Sequence, residues 1–223
     1  MVNQLFQTLR NKKNLYLNAM QGSEFENRIS AYLQLTLGFS RILKADILTN
    51  DWALIKRHIG DKFGNTFLNT PNNLKRTFIY HPYGAQQFPD FIIFTDKKVV
   101  PLEVKFSAKR QAKPMWNSNV PRANAFYIFG SYGLKDITFV CGADIFSPAH
   151  RKFLYGFFND IRSLQDKIRV DMPALDITNR GFTPYIRAAF DQRKHKPSVE
   201  TSFFAHPKRI EVENLAIEKS KSL

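Results

Sequence analysis

Two apolar segments separated by a four-residue turn constrain this chain most. Phe91-Ile92-Ile93-Phe94 is an unbroken apolar run suited to a buried strand, Thr95-Asp96-Lys97-Lys98 is a turn, and Val99 to Phe106 reads as a second strand. A run apolar on both faces must be covered on both faces, so the hairpin belongs inside a layered domain. The flanking sequence supplies the layers. Leu5, Phe6, Leu9, Leu15 and Leu17 predict a helix over residues 4–20. Phe25, Glu26, Ile29, Tyr32, Leu33 and Thr36 predict a second from Ser23. A third is expected after Asn50 or Asp51 as N-cap, with Trp52, Ile55, Ile59 and Phe63 inward.

Further strands are expected at 77–80, 125–129 and 137–141. A long helix opens at Ser147-Pro148 with Leu154, Phe157, Phe158, Ile161, Leu164 and Ile168 as its buried stripe. Helices, then strands, then a long helix predict an α/β (α+β) domain with a central mixed β-sheet flanked by helices. At 223 residues this is one domain, 1–223. After about Asp171 the periodicity fades and prolines recur at 173, 184, 197 and 207, so 171–223 is expected to be a subdomain or a DNA-binding arm.

Charge narrows the partners. The chain has 33 Lys plus Arg against 19 Asp plus Glu, a net +14, which predicts a polyanionic partner, with nucleic acid favoured over an anionic membrane surface. Between Trp52 and Lys135 there are 13 basic residues and only four acids, Asp61, Asp90, Asp96 and Glu103. No stretch approaches the ~18 apolar residues of a membrane span, and the N-terminus lacks a signal-peptide layout. The single cysteine, Cys141, forms no internal disulfide. A cytoplasmic protein is the expectation.

The hairpin also carries the chemistry. Glu103 and Lys105 share one face of their strand, Leu102 and Val104 the other, and Asp90 opens the partner strand. Pairing of the strands would bring two carboxylates and a lysine together at one sheet edge. Such an oxygen-donor site suits Mg²⁺ carrying waters and phosphate oxygens, with Lys105 assisting the attacking water. The competing reading makes Asp90 a turn former and Glu103 with Lys105 a solvated pair, but a carboxylate between apolar strands is costly unless paired or metal-bound. No two of the five histidines have metal-ligand spacing, so none is assigned to a metal; His81, close to Asp90 in sequence, is read as structural.

Pro89-Asp90 followed by Glu103-Val104-Lys105 resembles the signature of the PD-(D/E)XK nuclease superfamily, and the chain is similar to type II restriction endonucleases. The resemblance implies a restriction-endonuclease-like fold, Asp90 and Glu103 as metal ligands, Lys105 as the catalytic lysine, and a further glutamate on a preceding helix. Glu26 fits that place, three residues before Ile29 and seven before Leu33, whereas Glu24 falls on the side of Arg28. Ser23-Glu24-Phe25-Glu26 is equally a capping box, which would turn Glu26 back onto Ser23. The resemblance further implies Mg²⁺-dependent hydrolysis of double-stranded DNA at a short specific sequence by a homodimer, with room for a cognate DNA methyltransferase. A structure-selective nuclease of the same superfamily and a non-catalytic DNA-binding protein are the rival readings.

The loop after the lysine strand is the candidate DNA reader. Its Lys109, Arg110, Gln111, Lys113, Asn117, Ser118, Asn119 and Arg122 combine phosphate-neutralising cations with amides able to bind adenine. Asn179-Arg180-Gly181 and Arg193-Lys194-His195-Lys196 are further candidates, chiefly for phosphates. No P-loop or dinucleotide fingerprint is present.

Overall fold

Alternation along the central strands sets the architecture. The computed structural model describes residues 2–19, 21–108, 115–116, 120–175, 178, 180–186, 190–191 and 203–223. The elements in chain order are α1 (Val2–Asn11), α2 (Asn14–Leu17), α3 (Gly22–Leu35), β1 (Ser40–Arg41), α4 (Thr49–Gly60), β2 (Thr77–Tyr80), β3 (Phe91–Phe94), β4 (Val99–Ser107), β5 (Met115–Trp116), β6 (Phe126–Ser131), β7 (Asp136–Cys141), α5 (Pro148–Asp171), β8 (Phe190–Asp191) and α6 (Arg209–Lys221). Six strands form one mixed sheet in the order β1-β2-β3-β4-β6-β7, parallel at β1–β2 and β4–β6 and antiparallel elsewhere; β5 and β8 pair separately. The expected mixed sheet with flanking helices is what the chain forms.

Each sheet face has its own core. Phe78, Phe91, Ile93, Val100, Leu102, Val104, Phe126, Ile128 and Phe139 pack under α1 and α3 through Leu5, Phe6, Leu9, Phe25, Ile29 and Leu33. On the opposite face Ile79, Ile92, Phe94 and Val99 meet Ile55 and Ile59 of α4. The strand alternation that sends Leu102 and Val104 towards α3 leaves Glu103 on the other face. One glycine seats α3. A Cβ on Gly130 would lie 2.8 Å from Phe25 Cζ and 2.9 Å from Phe106 Cδ2, so only glycine lets the stacked Phe25–Phe106 pair settle onto β6.

Several expectations are corrected. The first helix ends at Asn11, and Leu15, on the short α2, is exposed. Phe63 lies beyond α4 and is exposed. Helix α5 does start with Ser147 capping, its Oγ accepting from His150 N at 3.2 Å, yet Phe157, Leu164 and Ile168 face outward. The buried side of α5 is Arg151, Tyr155, Phe158 and Gln165, because polar anchors seat it: Arg151 donates to the carbonyls of Gly142, Pro121 and Phe146.

Within the expected 171–223 subdomain or arm, the last helix belongs to the main domain. Helix α6 packs against α1 and β7, with Ala216 and Ile217 in the main core. Its inward positions are Glu213, Ala216, Ile217 and Ser220, a mixture of polar and apolar residues that shows no apolar stripe in sequence. Glu213 is the anchor: it accepts from Thr138 Oγ1 at 2.8 Å, Arg209 Nε at 2.8 Å and Arg10 Nε at 3.1 Å. Asp136 adds ion pairs to Arg209 and Lys13. Glu213→Ala strands those donors in a buried site, so it should destabilise the fold by about 3 kcal/mol; equilibrium urea unfolding should show a lower midpoint with an unchanged slope.

Candidate functional site

The register of two antiparallel strand pairs assembles the site. Phe91 pairs with Leu102 across β3–β4 and with Tyr80 across β2–β3. The residue before Phe91 therefore lies opposite both Glu103 and His81. Asp90 and Glu103 are joined by crossed hydrogen bonds: Val104 N donates to Asp90 Oδ2 at 2.7 Å, and Asp90 N donates to Glu103 Oε2 at 3.2 Å. Lys105 Nζ donates to Glu103 Oε1 at 2.5 Å. Both carboxylates are buried, at 6% and 3% relative exposure.

Glu26 reaches the same place from α3. The helix begins at Gly22 after Gln21 with no side-chain cap, so the capping-box alternative does not form. Glu26 Oε2 instead accepts from Tyr80 Oη at 2.8 Å and lies 2.9 Å from His81 Nε2. Glu24 is not part of this cluster.

His81 is the residue that spacing missed. Its backbone N donates to Asp90 O at 2.7 Å, extending the β2–β3 ladder by one step, and its Nε2 stands 3.9 Å from Asp90 Oδ1. It sits at φ 51°, a left-handed conformation uncommon for a residue with a side chain. The hairpin register carries the signal that would have found it, because the position after Tyr80 must oppose the position before Phe91. The setting is thus not oxygen-only.

Burial dominates the electrostatics. Desolvation, then the charge on Glu103, pushes the Asp90 carboxyl up from 3.8 to about 8. Desolvation also raises Glu103, against the pull of Lys105. The tyrosine hydroxyl of Tyr80 is raised by burial and by its bond to Glu26. One lysine faces two buried carboxylates, so the pair lacks a full complement of positive charge.

The donor set fits a divalent cation. Glu26, His81 and Asp90 each offer a ligand atom, all within 4.8 Å of one another. Among the described residues Asp90 Oδ1 accepts no hydrogen bond, although the side chain is only 9% exposed. A carboxylate oxygen without a hydrogen bond in such a setting can accept a cation.

The expected DNA reader is tested at one residue only. Lys109, Arg110, Gln111, Lys113, Asn117, Ser118 and Asn119 lie outside the described residues, as do Asn179 and 193–196. Arg122 is described and is buried. Its Nη1 donates to Gly60 O at 3.3 Å and its backbone N to Tyr127 Oη at 2.7 Å. It packs the interior and presents no surface for a base. No helix among the described residues is long and apolar enough to cross a membrane.

Comparison with protein-family models, with curated proteins and with solved structures returns no match.

The raised carboxyl has a signed consequence for the metal-free protein. An acid whose folded value exceeds its unfolded value binds more protons when folded, so stability falls as pH rises from about 4 to about 8 and then levels. In EDTA the melting temperature should decline across that window. Asp90→Asn should flatten the decline and melt higher than the parent above about pH 8. A metal-free parent whose stability is flat or rising over the window would contradict the electrostatic account.

Proposed function

We propose that the chain is a divalent-cation-dependent endonuclease acting on double-stranded DNA, of the PD-(D/E)XK type. The observation that carries this reading is the junction of Asp90, Glu103, Lys105 and Glu26 at one end of the sheet, with Asp90 accepting the Val104 N–H, Glu103 accepting the Asp90 N–H, and the lysine on Glu103. The net charge of +14 supports a phosphate-backbone partner.

A bound cation such as Mg²⁺ would polarise a phosphate oxygen and acidify a water. Asp90 would hold the ion through Oδ1, which accepts no hydrogen bond among the described residues, and Glu26 through the carboxylate that lies beside His81. Glu103 fixes Lys105 Nζ, and Lys105 in turn orients the attacking water and offsets negative charge gathering on the phosphate. Water adds to phosphorus in line as the bond to the 3′ oxygen breaks; the water releases its proton to solvent, and the 3′ oxygen takes one up from solvent. This division departs from the family pattern in one respect: Glu103 has both oxygens engaged, by Asp90 N and by Lys105. Its first task is to position the lysine.

Plasmid digestion tests the proposal. The protein should cut in Mg²⁺ or Mn²⁺ and not in EDTA. Discrete fragments would indicate a short recognition sequence, as in restriction enzymes acting as homodimers, and a smear or junction-only cutting would indicate a structure-selective enzyme. Lys105→Ala should lower the rate by about 100-fold or more while DNA binding stays near the parent level. Cleavage by Lys105→Ala at the parent rate would remove the lysine from the mechanism, and no cutting in either metal would leave a DNA-binding protein.

A further inference from the structure

We infer that His81 is a direct metal ligand, and that the imidazole makes the site favour Mn²⁺ over Mg²⁺. The inference deepens the proposed function and rests on its reading of this cluster as an ion site. It concerns which ion is held and by which atoms.

The distances fit a shared ion. Two donors that each sit ~2.1 Å from one octahedral ion are about 3.0 Å apart when adjacent and about 4.2 Å apart when opposite. His81 Nε2 is 2.9 Å from Glu26 Oε2 and 3.9 Å from Asp90 Oδ1, and the three groups offer ligand atoms within 4.8 Å of one another. Hydrogen bonding inside the cluster explains the first distance but not the second. At 3.9 Å His81 and Asp90 are not hydrogen-bonded, and Asp90 Oδ1, on a side chain nine-tenths buried, has no other partner among the described residues. That oxygen faces the imidazole across a gap of the width an ion spans.

The backbone holds the ring there. The His81 N–H is engaged by Asp90 O at 2.7 Å, and the ring stacks on Tyr80 with centroids 3.8 Å apart. On binding, the imidazole presents an unprotonated Nε2 and keeps its proton on Nδ1. Glu26 Oε2 retains the Tyr80 hydroxyl at 2.8 Å, so loss of the His81 contact does not strand it.

The choice of ion follows from the donors. Mg²⁺ favours oxygen ligands and keeps its waters, whereas Mn²⁺ accepts carboxylates and imidazole together. A site of two carboxylates and one imidazole should therefore bind Mn²⁺ at least about 10-fold more tightly than Mg²⁺.

The test uses the full chain without DNA. Calorimetric titrations with Mn²⁺ and with Mg²⁺ give the affinity ratio, and electron spin-echo spectroscopy of the Mn²⁺ complex reads ¹⁴N coupling directly. His81→Asn suits the left-handed backbone and replaces the nitrogen donor by an amide oxygen. The parent should show ¹⁴N modulation and the Mn²⁺ preference. His81→Asn should lose the modulation and at least about 10-fold in Mn²⁺ affinity, with Mg²⁺ affinity nearly unchanged. Absence of ¹⁴N coupling in the parent overturns the inference, as does a ratio unmoved in a folded variant; if the variant does not fold, the parent spectrum decides. A protein that shows the coupling and the preference yet cuts no DNA would sustain this inference and end the nuclease reading. Metal-dependent cutting with no ¹⁴N coupling would do the reverse.

Discussion

The crossed hydrogen bonds between Asp90 and the backbone and side chain of β4 hold the account together. The Val104 N–H bonds to Asp90 Oδ2 and the Asp90 N–H bonds to Glu103 Oε2, so each carboxylate is oriented by the other's strand. Orientation of this kind comes from the sheet rather than from a flexible loop, and it keeps both carboxylates fixed. The same register brings His81 opposite Asp90, and the Phe25–Phe106 contact over Gly130 brings α3 and Glu26 to the same end of the sheet.

Fixing two carboxylates in an apolar sheet works against stability. Asp90 and Glu103 are both pushed towards the protonated form, chiefly by burial, and Lys105 offsets only part of that. A fold selected for stability alone would place apolar residues there. The penalty is carried by well-packed cores on both faces and by the Glu213 anchor, which seats α6 on β7. Poor solvation of anions and strong attraction for a cation are one physical property seen from two sides.

The hairpin was legible because buried strands advertise themselves by unbroken apolar runs, and alternation then assigns Glu103 and Lys105 to a common face. Glu26 could be placed on the inward side of α3 by helical spacing, but whether it capped the helix or entered the site depended on where the helix began, one residue before Ser23. His81 escaped because spacing rules compare positions on one element, while this side chain is brought in by pairing between β2 and β3. Helix α6 escaped for a different reason: its inward face uses Glu213 and Ser220, which read as surface residues. Arg122 reads as a surface cation in sequence, yet the Gly60 carbonyl holds it inside.

If the proposal holds, a cation sits among Asp90, Glu26 and His81 at the end of this hairpin. Anomalous scattering from crystals grown with Mn²⁺ would locate that ion. The account predicts one strong peak about 2.1 Å from Asp90 Oδ1, bonded also to Glu26 and to the His81 ring nitrogen. A map with no peak within bonding distance of Asp90, or with the ion held elsewhere while the Asp90–Glu103 pair stays closed, would contradict it.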